Sequence, residues 1–213
     1  MRGKNHSHNV EDAQFFGGRS LGSFGETMSQ PIYFTADEHY NHRNIITYCN
    51  RPFSDINHMR ETLIANHNAK VPPNGLTYHL GDIFWQSVSV EDATNILNRL
   101  NGRHILIWGN HDSTAEKMID VEPGFERTAD VLLIRQDGAP KIFMSHYAHR
   151  VWPSSHKGSY HLFGHNHNQL PAYGLSLDVG VDGNNFTPYS ISEINKIMLK
   201  KIAQGYKDPL AVA

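Results

Sequence analysis

The sequence predicts an α/β domain, on three observations. Short apolar runs of strand length alternate with amphipathic helical stretches. Turn residues punctuate the joins, and polar clusters follow the apolar runs instead of interrupting them.

The elements can be taken in order. Pro31–Ala36, with Ile32-Tyr33-Phe34 at its centre, reads as a buried strand. Asp55–Lys70 reads as a helix, with Asp55 as its cap and Ile56, Met59, Leu63 and Ile64 on one face. Leu76–Leu80 is a second strand. Ser89–Leu100 gives the clearest helical period, in Ala93, Ile96, Leu97 and Leu100; Ser89 and Asp92 resemble a capping box, and Gly102 lies past the end. His104–Trp108 is a third strand. Val131–Arg135 and Lys141–Ser145 flank Asp137-Gly138 and read as a hairpin. Short strands follow at Tyr160–Phe163 and Leu175–Val179. A last helix, Ser190–Ile202, carries Ile194, Ile197, Met198 and Ile202 on one face. No internal repeat and no low-complexity tract is visible.

Composition narrows the class. The chain has 213 residues, 39% apolar and 19% charged, which suits one domain with an ordinary core. Residues 1–27, with His6, His8 and Gly17-Gly18, show no helical or strand period and read as a flexible leader or added extension, leaving 28–213 as the domain. A net charge of −2 offers no broad attraction to nucleic acid or to anionic membrane. One cysteine, Cys49, excludes an internal disulfide framework; with no secretory signal and no apolar run of membrane-spanning length, the expectation is a cytoplasmic protein. The outlying count is 15 histidines, the commonest metal-ligand type.

Position decides what those histidines do. Asp37-Glu38-His39 follows the first strand, and Gly81-Asp82 the second. Gly109-Asn110-His111-Asp112 follows the third, His146 the Lys141–Ser145 strand, and Gly164-His165-Asn166-His167 the Tyr160–Phe163 strand. In open α/β sheets, side chains from distant segments converge outside the carboxyl ends of the strands. One such cluster alone would read as a turn or a helix cap, and five in series, all of oxygen and imidazole donors, are hard to explain by packing.

That ordered set resembles the calcineurin-like metallophosphoesterase family, over about 130 residues from Asp37 to His167. The resemblance implies a four-layer α/β/β/α sandwich and a two-metal hydrolase of phosphate esters. It implies that Asp37, His39 and His167 bind a first metal, that Asn110, His146 and His165 bind a second, and that Asp82 bridges them. His111 would be the general acid or the stabiliser of the phosphoryl oxygens, with Asp112 orienting it or fixing its loop. A hydroxide held between the ions would attack phosphorus in line.

The residue types agree with that chemistry on their own account. Mixed imidazole and carboxylate donors suit Mn²⁺ foremost, with Fe, Zn²⁺ or Ni²⁺ as alternatives, better than the oxygen-seeking Mg²⁺ or Ca²⁺. Two divalent ions, set against Asp37, Asp82 and a bridging hydroxide, leave a surplus of about one positive charge to attract phosphate. No Gly-x-Ser-x-Gly and no activated cysteine supplies a covalent alternative.

Around this set, His42, Arg43 and Arg150 are candidates for substrate phosphate, and Arg51, Tyr147, His149, Trp85 and Trp152 for the pocket lining or for loop packing. His58, His67, His79, His104, His156 and His161 read as structural or surface residues, and Glu38 has no assigned role. The partner expected is a phosphate-ester substrate, with a lean towards phosphodiesters of nucleotide type; a phosphomonoesterase or protein phosphatase is the alternative. A non-catalytic scaffold would be marked by a missing ligand, and none is missing.

Overall fold

In the computed structural model, residues 30–120, 124–135, 139–171 and 173–205 are described. The stretch read as an N-terminal extension and the Asp137-Gly138 turn lie outside them.

The described strands form two sheets. The first has the order β4-β3-β2-β1-β9, from β1 (Ile32–Thr35), β2 (Leu76–His79), β3 (Arg103–Ile107), β4 (Arg127–Ala129) and β9 (Tyr189–Ser190). Strands β1 to β4 run parallel and β9 antiparallel to β1. The second sheet has the order β5-β6-β7-β8, from β5 (Val131–Ile134), β6 (Ile142–Ser145), β7 (Tyr160–Phe163) and β8 (Ser176–Asp178). Here β6, β7 and β8 are parallel, and β5 pairs antiparallel with β6 from Val131↔Ser145 to Ile134↔Ile142, as a hairpin requires. This is the expected α/β class, with two mixed sheets.

Parallel strands place all their carboxyl ends on one edge, which is why ligand clusters 19 to 45 residues apart meet. Alternation along each strand then divides the core. On β3, Ile105 and Ile107 join Phe34, Tyr78, Met144 and Leu162 in a cluster shared by the two sheets. Leu106, between them, joins the cluster on the opposite face. That second cluster holds Met59 and Leu63 of α2 (Ile56–Lys70), Ile96 and Leu97 of α3 (Val90–Leu97), Ile45 of α1 (Ile45–Tyr48) and Ala115 of α4 (Ser113–Glu116). Helix α5 (Ile191–Ala203) adds Ile194 and Met198 to the inter-sheet cluster, and Lys201 bonds the carbonyl of Ser176 in β8. The outer face of the second sheet is covered differently: the loop after β6 lays Trp152 and His149 against Phe143 and His161.

The helix ends follow local chemistry. Asp55 accepts from the amides of Asn57 and His58 at 2.8 and 2.9 Å. Ser89 accepts from the Asp92 amide at 3.0 Å, but Asp92 takes the Ser89 hydroxyl instead of returning to the backbone, so the full capping box is absent there and present at Ser190–Glu193. Helix α3 stops at Leu97, short of the expected Leu100. Strands β4 and β9 and helices α1 and α4 are two to four residues long, too short to carry a period.

One polar chain crosses the helix-facing side of the first sheet. Glu38 Oε1 lies 2.6 Å from His79 Nδ1, and His79 Nε2 lies 3.0 Å from His104 Nδ1; His67 of α2 packs its ring against both. Burial lowers His67 to about 4, His79 to about 3 and His104 to about 2, and raises Glu38 to about 7. Between the ordinary carboxylate and imidazole values, the unfolded chain therefore binds three protons on the histidines, and the folded chain binds one on Glu38. Stability from these four groups rises with pH in that window by about two net protons. The urea midpoint of metal-free protein is expected to fall as pH drops from 7.5 to 5; an unchanged midpoint would show that these histidines are not held neutral.

Candidate metal centre

The loops that leave β1, β2 and β7 turn sharply, and the ligand residues themselves make the turns. Asp37, His39, Asp82, His165 and His167 all have positive φ, between 49° and 70°. Non-glycine residues hold such a conformation at a cost on the order of 1–3 kcal/mol each, and keep it only where surrounding contacts enforce it. Two glycines allow the loops to close on one another. A Cβ at Gly109 would stand 2.4 Å from Asp82 Oδ1, and one at Gly164 would stand 2.7 Å from Asp37 Oδ2.

Six of the expected ligands fall into two groups. The donor atoms of Asp37, His39 and His167 lie within 4.8 Å of one another, and so do those of Asp82, His146 and His165. Asn110 Oδ1 lies 3.0 Å from His146 Nε2, which puts it with the second group. Asp82 Oδ2 stands between the groups, 3.7 Å from His39 Nε2 and 3.5 Å from His146 Nε2. All these residues except Asp37 and His146 line one cavity of about 420 Å³.

Contacts behind the ligands aim them. Asp37 accepts from the His165 amide at 3.0 and 2.8 Å, tying the first and last ligand loops together. His146 Nδ1 is held by the Leu80 carbonyl at 2.8 Å and His167 Nδ1 by Asp182 Oδ2 at 2.8 Å, so each ring turns Nε2 towards its own donor group. Arg51 is buried: it bonds both oxygens of Asp182 at 2.8 Å, and donates to the carbonyls of Asp37 at 2.7 Å and Glu38 at 3.0 Å. Asp112 accepts from the amides of Asp82, Ile83 and Gly109, which is loop fixing and not ligation. His111 donates its amide to Asp82 Oδ1 at 2.8 Å, and its ring lines the cavity with Nδ1 unbonded.

The donor set fits divalent cations. His39 is buried, and its Nε2 faces Asp82 Oδ2 at 3.7 Å. Burial lowers His39 to about 2, so the ring is neutral with its lone pair available. Asp82 is lowered to about 2: burial opposes ionisation, but the His146 contacts and the His111 amide outweigh it. Asp37 is driven well above the carboxylate range by burial. His167 is raised to about 10, because the bond to Asp182 outweighs a burial that disfavours charge.

The remaining candidates separate. His42 is buried at the cavity edge, stacked on Trp85 at 3.6 Å, and burial lowers it to about 4. Arg43 is exposed and does not line the cavity. Arg150 lies over the Tyr173 ring at 5.5 Å, in a different cavity of about 370 Å³. Tyr147 reaches Asn110 Oδ1 at 3.3 Å; Trp152 is buried and bonds the Ser159 carbonyl, which is packing. Sequence reasoning missed Asp182 and Asp178. Asp178 accepts from the amides of Asn168 and Gly180, and a carboxylate inside the apolar run Leu175–Val179 was its available signal.

Over 185 residues the chain is 34% identical to the uncharacterized protein MJ1445 of Methanocaldococcus jannaschii, covering 83% of this chain and 97% of that protein. The crystal structure of AQ665, a protein of unknown function from Aquifex aeolicus, matches with a TM-score of 0.61 at 25% identity, over 79% of this chain and 100% of the other. No family model matches the chain. The chain belongs to the same family as the archaeal protein.

The proton inventory makes a prediction about metal uptake. At neutral pH the metal-free site holds an extra proton on His167, which must leave before that ring can ligate. Mn²⁺ affinity should fall as pH falls, with about one proton released from His167 per ion at the first group. Calorimetric titration of Mn²⁺ in buffers of different ionisation enthalpy measures this; uptake without proton release would contradict the assignment.

Proposed function

We propose that this member of the MJ1445 family hydrolyses phosphate esters with two divalent metal ions, in the manner of the metallophosphoesterases that its motif order resembles. The observation that carries the reading is Asp82, whose Oδ2 stands between two three-residue donor groups facing one cavity. Isolated metal sites have no need of a shared carboxylate, whereas a two-metal hydrolytic centre does. When bound, such ions attract the phosphate, offset charge built up in the transition state and lower the pKa of water. Mn²⁺ is the expected ion, and the mixed imidazole and carboxylate donors suit Fe, Zn²⁺ or Ni²⁺ as alternatives.

The chain's own residues do the rest. The αL turns and the Arg51–Asp182 pair hold the donors at fixed positions, so that little reorganisation accompanies reaction. His111 is anchored by its amide beside Asp82 while its ring faces the cavity, where it can give a proton to the departing oxygen. All seven ligand positions are filled by competent donors, which favours an enzyme over a scaffold. The sheets sharing one core, with α1 to α4 outside the first, support the four-layer sandwich as the finer architecture. Among the described residues no helix is long and apolar enough to cross a membrane, and the single Cys49 supports a cytoplasmic setting. The lean is towards phosphodiesters of nucleotide type.

An alkoxide leaving from a nucleoside benefits from a proton in the transition state, and p-nitrophenolate needs little help. General acid assistance is worth about 10²–10⁴-fold. His111→Asn is expected to keep its metals, to lose most of its kcat/KM on a nucleoside ester and to lose clearly less on a p-nitrophenyl ester. Equal losses on both esters would reject His111 as the acid.

A further inference from the structure

The metal cavity has a second wall that ligation does not use. Opposite the donors, Ile45 and Tyr48 of α1 and Trp85 from the loop after β2 line the same space. His42 stacks on Trp85 with ring centroids 3.6 Å apart and planes 7° apart, and meets Tyr48 edge-on at 6.2 Å. Tyr48 is 69% exposed, a large ring left open to solvent at the mouth of a deep polar site. Trp85 also leans on His111, 4.9 Å away, so this aromatic group adjoins the residue placed at the leaving oxygen.

These observations have a chemical reading. A phosphate group and its ions engage only the donor wall, while the cavity of about 420 Å³ falls in the size range of sites for whole organic ligands. A wall of flat rings selects flat rings, because offset stacking and edge contacts reward planarity beyond the apolar area buried. Arg43 does not line this cavity, and Arg51 is engaged beneath the loops, so among the described residues no arginine offers a second anion a place there. The opposite wall is therefore suited to an uncharged, planar group.

We propose that the substrate is a phosphate ester whose organic part carries a planar aromatic ring at, or within two bonds of, the esterified carbon or sugar, and that Tyr48 and Trp85 are its specificity residues. A nucleoside 5′-phosphate is one source of that chemistry and an aryl phosphate another. This inference rests on the phosphate-ester reading above and narrows it.

Phosphonates, which are not hydrolysed, test it by binding alone. Calorimetry on Mn²⁺-loaded protein would compare methylphosphonate, n-hexylphosphonate, phenylphosphonate and an adenosine 5′-phosphonate. Stacking of one base on an aromatic side chain is worth about 1–3 kcal/mol, so the two ring-bearing ligands should bind roughly ten times more tightly than methylphosphonate. They should also bind more tightly than the hexyl ligand, which offers apolar area without a flat ring. In Tyr48→Ala and Trp85→Leu the advantage should shrink towards parity. The tighter of the phenyl and adenosine ligands identifies the source. Equal binding of all four ligands, or a ring preference untouched by both substitutions, would overturn the aromatic wall while leaving the phosphate-ester reading intact. Failure of every phosphonate to bind the loaded protein would count against that reading itself, and this inference would fall with it.

Discussion

The guanidinium of Arg51 is the constraint on which the first metal position depends. It is buried, it neutralises Asp182 with two 2.8 Å contacts, and it fixes the carbonyls of Asp37 and Glu38. Asp182 in turn holds His167 at 2.8 Å. Through Asp182, one side chain thus ties the loop after β1 to His167 in the loop after β7. Lysine could not replace it, since a single ammonium lacks the planar fork that meets both carboxylate oxygens and two carbonyls together.

That clamp opposes a real strain. Five of the ligand residues sit in left-handed turns, and glycines at 109 and 164 admit the carboxylates of Asp82 and Asp37 into space that a methyl would fill. Such turns project side chains from consecutive loops into a common volume, which extended or helical backbone would not do. The same crowding sets the electrostatics. Burial keeps His39 neutral and raises Asp37, while Asp82 and the Asp182–His167 pair carry charge. Divalent ions would displace the His167 proton and draw on the neutral His39 ring, so folding and loading converge on one arrangement.

Much of this was legible in the sequence, for identifiable reasons. Long elements with a clear period, such as Ile56–Lys70 and Ile191–Ala203, appear within a residue or two of their expected limits. The ligand clusters were visible because each follows an apolar strand, and parallel pairing brings those ends together. What escaped was set by tertiary contact. Nothing local marks Asp182, in Val181-Asp182-Gly183, as the partner of His167, or Arg51 as a buried clamp. Glu38 had no assigned role, yet it anchors a buried chain through His79 to His104 that only three adjacent strands could align. Arg43 and Arg150 adjoin ligand loops in sequence, but the side chains lie outside the metal cavity.

The central claim is that two ions sharing Asp82 act together on a phosphate ester. Its most direct test is stepwise addition of Mn²⁺ to metal-free protein, with hydrolysis of bis-p-nitrophenyl phosphate followed at each step. Cooperation across Asp82 predicts little turnover until the second equivalent fills, and loss of both binding and turnover in Asp82→Ala. Full activity at one equivalent, or two tightly bound ions with no hydrolysis of any phosphate ester, would contradict it.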